Sequence, residues 1–157
     1  MSRLRIMIGL PRSGKTTWVN SNKEENEVVV SADTLRELIY GQRWFKEGEP
    51  YVWSVRGTIL HMLMLQGVNI IIDETNILIR NRSVLRKFAK KYGYVVEYIY
   101  VATSKEKCIE RAKETEREDL IPIIERMEHQ WNTAEYISIK ESNEINKCIE
   151  IINEVSK

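Results

Sequence analysis

Eight consecutive residues near the amino terminus, Gly9-Leu10-Pro11-Arg12-Ser13-Gly14-Lys15-Thr16, follow the pattern G-x-x-x-x-G-K-[ST]. They stand between an apolar run, Leu4–Ile8, and a helical start at Lys15-Thr16-Thr17-Trp18-Val19. Two glycines allow a turn tight enough for several backbone N–H groups to converge on one anion. A helix opening at Gly14 adds its positive end. Lys15 supplies a mobile cation suited to β- and γ-phosphates, and Thr16 a hydroxyl suited to Mg²⁺. The expected nucleotide contacts are Gly9, Pro11, Arg12, Ser13, Gly14, Lys15, Thr16 and Thr17. A glycine turn that merely exposes a lysine is the bland alternative, and the agreement of pattern with both flanks weighs against it.

Composition narrows what surrounds this loop. The 157 residues are 43% hydrophobic and 30% charged, enough for one substantial core and too apolar for dominant disorder. The net charge of +1 excludes a bulk polycation that binds nucleic acid through charge alone. No apolar run approaches a membrane span, and Met1–Gly9 has no signal-peptide pattern. Two cysteines, Cys108 and Cys148, in helix-like patterns suggest core thiols in a reducing, intracellular compartment. His61 and His129 have no neighbouring ligand cluster, so zinc is poorly supported.

Apolar and helical periods alternate along the chain. Strands are expected at Leu4–Ile8, Val28–Val30, Val68–Ile72 and Val95–Val101, with a shorter fifth around Tyr136, Ile137 and Ile139. Helices are expected from Lys15 and near Thr34–Ile39. Residues 52–66 continue the pattern with a stripe of Val52, Val55, Ile59, Leu60, Leu63 and Met64. The next helix would be capped by Asn81 or Ser83 and bury Val84, Leu85, Phe88, Ala89 and Tyr92. Pro122 suits the first turn of a helix carrying Ile124, Met127 and Trp131, and a final helix would align Ile145, Cys148, Ile149, Ile152 and Val155. Tyr40–Trp53 reads as a linker. The expectation is one α/β domain over residues 1–157, a parallel sheet of about five strands covered by helices on both faces.

Polar residues gather where such a sheet collects ligands. Asp33 and Arg36 follow the second strand three residues apart. They suit a base for a hydroxyl proton and a cation for an acceptor phosphate, or equally a helix cap beside an exposed arginine. Asp73-Glu74-Thr75-Asn76 ends the third strand, where an acid either coordinates Mg²⁺, orients Arg36, binds the acceptor or caps a turn. Ser104–Asp119 mixes both charge signs, and Arg111 and Arg117 there suit a lid over residues 104–121. A solvated helix surface with pairs such as Glu110–Lys113 and Glu114–Arg117 is the alternative. Arg43, Trp44, Lys46, Tyr51, Trp53 and Arg56 interleave aromatic and basic residues, either to receive nucleic acid or as a packing cluster; Trp18 and Trp131 read as core. Arg80 and Arg82 are further candidate phosphate contacts.

The ordered set GLPRSGKTTW (Gly9–Trp18), DTLR (Asp33–Arg36), IIDETN (Ile71–Asn76), KYGYVVE (Lys91–Glu97) and Ile121–Met127 resembles the P-loop kinase family typified by the 5′-hydroxyl polynucleotide kinase domain of T4-like phages. The resemblance runs from Leu4 to Trp131. It implies a P-loop NTPase-type fold with a Walker A loop, ATP or GTP as donor, Mg²⁺, and a DNA or RNA 5′-hydroxyl end as acceptor. It implies that Lys15 and Thr16 handle donor phosphates and metal, that Asp33 is the general base, and that Arg36 contacts the phosphate beside the acceptor hydroxyl. It further implies that Asp73 holds Arg36 and shapes the acceptor site, and that Arg111 and a second lid arginine, about where Arg117 falls, close over ATP. Thr75, Asn76 and Arg80 are, from their place past the third strand, further candidate acceptor contacts. Glu74 is an extra acid relative to that family, the lid is more acidic, and Arg117 is displaced by about one residue. The implied setting is the cytoplasm of a bacterial cell or a phage-infected host, and the implied product a kinase module without a phosphatase domain. A kinase for a small-molecule hydroxyl such as a nucleoside or sugar, and a nucleotide-binding regulatory or toxin-like module, share the same loop. The sequence leaves oligomeric state open.

Overall fold

The computed structural model describes residues 1–132 and 148–150. Five strands, β1 (Arg3–Ile8), β2 (Glu27–Val30), β3 (Asn69–Ile72), β4 (Val95–Tyr100) and β5 (Cys148–Glu150), form one parallel sheet in the order β2-β3-β1-β4-β5. The intervening helices are α1 (Lys15–Asn22), α2 (Ala32–Tyr40), α3 (Glu49–Leu65), α4 (Ile79–Lys91), α5 (Lys105–Glu114) and α6 (Ile121–Asn132).

Alternation along β1 explains the two layers. Leu4, Ile6 and Ile8 share a core with Ile70, Ile72, Leu60 and Met64 of α3, Leu85 and Ala89 of α4, and Ile124 and Trp131 of α6. Met7 points the other way, into a smaller cluster with Ile71, Ile99, Val101 and Val19 of α1, against which Trp18 packs. The β-branched run Ile70–Ile72 is fully buried, as a strand covered on both faces requires. Each such side chain contributes about 1.5–3 kcal/mol by leaving water. Because β1 is central and successive strands are added first to one side of it and then to the other, the carboxyl ends of β1 and β3 open at the crevice where such sheets take ligands.

Several elements depart from the sequence expectation. Helix α3 begins at Glu49, with Pro50 in its first turn, three residues before Val52, so the end of the supposed linker Tyr40–Trp53 is helical. Helix α4 begins at Ile79 behind Leu78, and neither Asn81 nor Ser83 caps it. Val55 and Val84 are exposed: the apolar period overcounts each buried stripe by one residue. The segment Cys148–Glu150 is a strand beside β4, where a helix was expected; so short a segment, with only Cys148 and Ile149 apolar, fits either period. The fifth strand expected at Tyr136–Ile139, and the rest of the final helix, lie outside the described residues. Among the described residues no helix is long and apolar enough to cross a membrane.

Candidate active site

The loop after β1 closes on itself. Gly9 donates its N–H to the Thr75 carbonyl at 3.0 Å. A Cβ at Gly9 would stand 2.7 Å from Ser13 Oγ and 3.0 Å from the Val101 carbonyl, so only glycine fits. Gly14 adopts φ 105° directly before α1, and Arg12 φ 66°, which turns the loop's amides inward. Lys15 is buried within the loop, its Nζ donating to the Gly9 carbonyl at 3.0 Å, the Leu10 carbonyl at 2.7 Å and Ser13 Oγ at 3.4 Å. Burial lowers its pKa to about 8, opposed chiefly by the charge of Asp73. Pro11 is half-buried, Ser13 buried and Thr17 exposed.

Thr16 donates its hydroxyl to Asp73 Oδ2 at 2.7 Å. An exposed hydroxyl and a carboxylate at the mouth of a phosphate loop are the oxygen donors that Mg²⁺ takes alongside substrate phosphates and water. No cluster of three or more His, Cys, Asp or Glu side chains that could hold a metal occurs among the described residues, so any divalent ion here would draw its remaining ligands from the nucleotide and solvent.

Asp33 and Arg36 lie on the first turns of α2, behind the cap Ser31, whose Oγ accepts from the Thr34 N–H; Asp33 is therefore free of capping duty. Arg36 Nη1 donates to Asp33 Oδ1 at 2.6 Å, while Nε and Nη2 grip Glu49 at 2.6 and 2.8 Å. The hydrogen bond from Arg36 holds the Glu49 carboxyl below the usual carboxylate range. Asp33 is felt electrostatically at both Lys15 and Arg117. The holder of Arg36 is thus Glu49 of α3, not Asp73, which is committed to Thr16. Glu74, the extra acid, is gripped by Arg56 at 2.6 and 2.8 Å, and burial raises its pKa.

The other candidates fall into place less uniformly. Asn76 is buried and donates to the Met7 carbonyl at 2.9 Å, making it a brace between β3 and β1 rather than an open contact. Thr75 accepts the Gly9 N–H through its carbonyl, and Arg80 is exposed on the first turn of α4. Buried Arg82 donates to the Asn76 and Ile77 carbonyls, both at 2.6 Å. Arg111 reaches back from α5 to the Arg12 and Ser13 carbonyls at 3.2 and 3.0 Å, and Arg12 reaches forward to Thr115 Oγ1 at 2.6 Å. Arg117 pairs with Asp119 through two bonds of 2.8 and 2.9 Å, and Lys107 with Glu110 at 2.8 Å, in place of the expected Glu114 and Lys113 pairings.

Sequence reasoning did not find Glu49, because its partner is 13 residues away and joined only through tertiary structure. Nor did it find Thr103, whose hydroxyl donates to the Ser13 carbonyl at 2.7 Å and whose one signal is a polar residue past the end of β4.

The family profile described as AAA domain matches residues 4–135. The chain belongs to the AAA domain family. No curated protein matches the sequence. Among solved structures, a chain of the Pnkp1/Rnl/Hen1 RNA repair complex is similar at 21% identity and TM-score 0.74, covering 90% of this chain and 46% of that one. A second Pnkp1/Rnl/Hen1 structure gives 24% identity and TM-score 0.63 over 70% of this chain and 38% of the other. The PezAT toxin–antitoxin system of Streptococcus pneumoniae gives 20% and 0.59, over 88% and 66% respectively. This chain therefore spans less than half the length of the Pnkp1/Rnl/Hen1 chains it resembles. The fold, a parallel sheet flanked by helices with the glycine-rich loop after its central strand, is of the P-loop NTPase type to which the sequence resemblance pointed.

Proposed function

We propose that this chain transfers the γ-phosphoryl group of ATP or GTP to the 5′-hydroxyl end of DNA or RNA. The observation that carries the reading is the Asp33–Arg36–Glu49 set, an acid and a guanidinium fixed together beside the phosphate loop. A plain nucleotide hydrolase leaves that pair without a task. Asp33 accepts the hydroxyl proton as the new O5′–P bond forms and the bond to the β-bridging oxygen breaks, leaving a nucleoside diphosphate and a 5′-phosphate end. Arg36 holds the acceptor's adjacent phosphate, kept in register by Glu49. Lys15, Arg111 and Arg117 stabilise the charge spread over the transferred group, with residues 104–121 as the lid and 1–157 as one domain. Thr16 and Asp73 would hold Mg²⁺, which would supply charge neutralisation at the phosphates.

The test is transfer of labelled phosphate from γ-labelled ATP with Mg²⁺ to a 5′-hydroxyl oligonucleotide, its 5′-phosphorylated counterpart and a nucleoside mixture. Label on the 5′-hydroxyl oligonucleotide alone supports the reading. Label only on nucleosides would assign a small-molecule acceptor, and tight ATP binding without transfer to any acceptor a regulatory or toxin-like role.

A further inference from the structure

The segment between α2 and α3 carries large aromatic side chains that the core does not use. Trp44 is 62% exposed and Trp53 44% exposed. Both lie against the candidate acceptor arginine: the Arg36 guanidinium carbon is 5.5 Å from the centroid of Trp44 and 5.9 Å from that of Trp53. A second guanidinium, Arg56, stands 5.1 Å from Trp53. Each of these arginines is already bound through two nitrogens to a carboxylate, Arg36 to Glu49 and Arg56 to Glu74. The Trp53 indole N–H also donates to Glu49, which anchors that ring, and both indoles keep much of their surface in solvent. The carboxylates hold both cations still, so the rings beside them are presented on a rigid base.

Exposed indoles beside fixed arginines, within one side chain of an acid suited to accept a hydroxyl proton, match what an unpaired nucleotide offers: a π-face, a phosphate and a terminal hydroxyl. Arg43 and Lys46, both exposed on the same segment, add charge for a continuing phosphate backbone. A sugar offers no phosphate to the arginines, and paired bases inside a duplex offer no free face. We propose that Trp44 and Trp53 form a stacking platform for the unpaired bases at the 5′ end of a single-stranded acceptor. The proposal rests on the polynucleotide reading above and narrows it to single-stranded or overhanging ends.

The test measures binding apart from transfer. Fluorescence anisotropy of a 3′-labelled, 5′-hydroxyl hexanucleotide is followed without nucleotide, beside the same strand with its first two positions abasic and a blunt hairpin. Trp44→Ala and Trp53→Ala should each weaken binding of the intact strand about tenfold, and Trp53→Phe should largely restore it. The abasic strand and the hairpin should bind the unaltered protein about as weakly as the alanine variants bind the intact strand. In transfer assays the alanine variants should raise KM with little change in kcat, and circular dichroism checks that they fold. Transfer to the oligonucleotide with affinities unmoved by the alanine variants or the abasic positions would overturn the platform while leaving the polynucleotide reading in place. Neither binding nor transfer with any oligonucleotide would overturn both. A dimer in sedimentation that the alanine variants split, with oligonucleotide affinity unchanged, would assign the indoles to a second copy and likewise overturn the proposal.

Discussion

Lys15 is a cation stored among carbonyls, and its surroundings fix how it answers to pH. Below about 8 it is protonated in the folded chain and bears the cost of burial, whereas the unfolded chain keeps the ordinary value of 10.5. Between those values the unfolded state binds more protons, so this residue's penalty on stability fades as pH rises from about 8 toward 10.5. Phosphates entering the loop replace carbonyl dipoles with full negative charge and raise the lysine's pKa again. Nucleotide binding should therefore take up a proton above about pH 8, and affinity should fall toward tenfold per pH unit there. Calorimetric titration in two buffers of different ionisation enthalpy checks this, and equal apparent enthalpies at pH 9 would contradict it. At Asp33 the expected effect is on chemistry alone. Asp33→Asn should lower turnover by about 10²–10⁴-fold with nucleotide affinity nearly unchanged, and Lys15→Ala should damage both. Unchanged transfer by the Asp33 variant in single-turnover assays would remove that residue from the base role.

At the scale of elements, the proposed acceptor side is built by two helices joined, among the described residues, through the Arg36–Glu49 ion pair. Glu49 opens α3 and takes two nitrogens of Arg36 from α2, while Ala32, Leu35 and Val52 pack the helices together beneath. Glu49→Gln keeps the shape and loses the charge that fixes the guanidinium, a change of about 1.5–3 kcal/mol for a charged hydrogen-bonded pair. Turnover should fall about tenfold at saturating nucleotide, with ATP affinity unchanged. Equal loss in ATP affinity would mean that the pair supports the whole site and not the acceptor half. Because the folded Glu49 pKa is depressed, its contribution to stability is present above the usual carboxylate range and lost as pH falls through the lowered value. The same region shows why legibility differs between loop and acceptor site. The phosphate loop is local: glycine geometry, a buried lysine and a helix start lie within eight residues and follow from residue type. Arg36 was legible as a candidate, but its carboxylate was not: the resemblance points to Asp73, whereas packing directs Asp73 toward Thr16 and Glu49 toward Arg36. Apolar period located α3 and α4 yet missed their starts, because neither has a side-chain cap to mark it.

Across the whole molecule, alternation of strands and helices made a parallel sheet legible, whereas the order β2-β3-β1-β4-β5 was not, since pairing between strands as distant as β1 and β4 leaves no local mark. That order places two polar assemblies at opposite ends of the sheet. The carboxyl ends carry the loop and its acids. Toward the amino ends, Glu27 has a fully buried side chain that accepts from Arg3 at 3.1 Å and Arg5 at 3.0 Å, with Glu24 and Glu97 completing the network. Breaking a buried pair costs more than the pair contributes, because the surviving charges stay desolvated. Glu24 and Glu97 remain as partial partners, so Glu27→Ala should cost about 3 kcal/mol, at the lower end of the range for such losses. Arg3 to Ile8 spans about 17 Å of strand, so the damage lies far from the phosphate loop. Urea denaturation should show the midpoint lowered with the slope unchanged, while the folded variant keeps its nucleotide affinity. Loss of nucleotide binding in the still-folded protein would show that the two ends of β1 are coupled, and a midpoint shift worth less than about 1 kcal/mol would show that solvent already compensates the buried carboxylate.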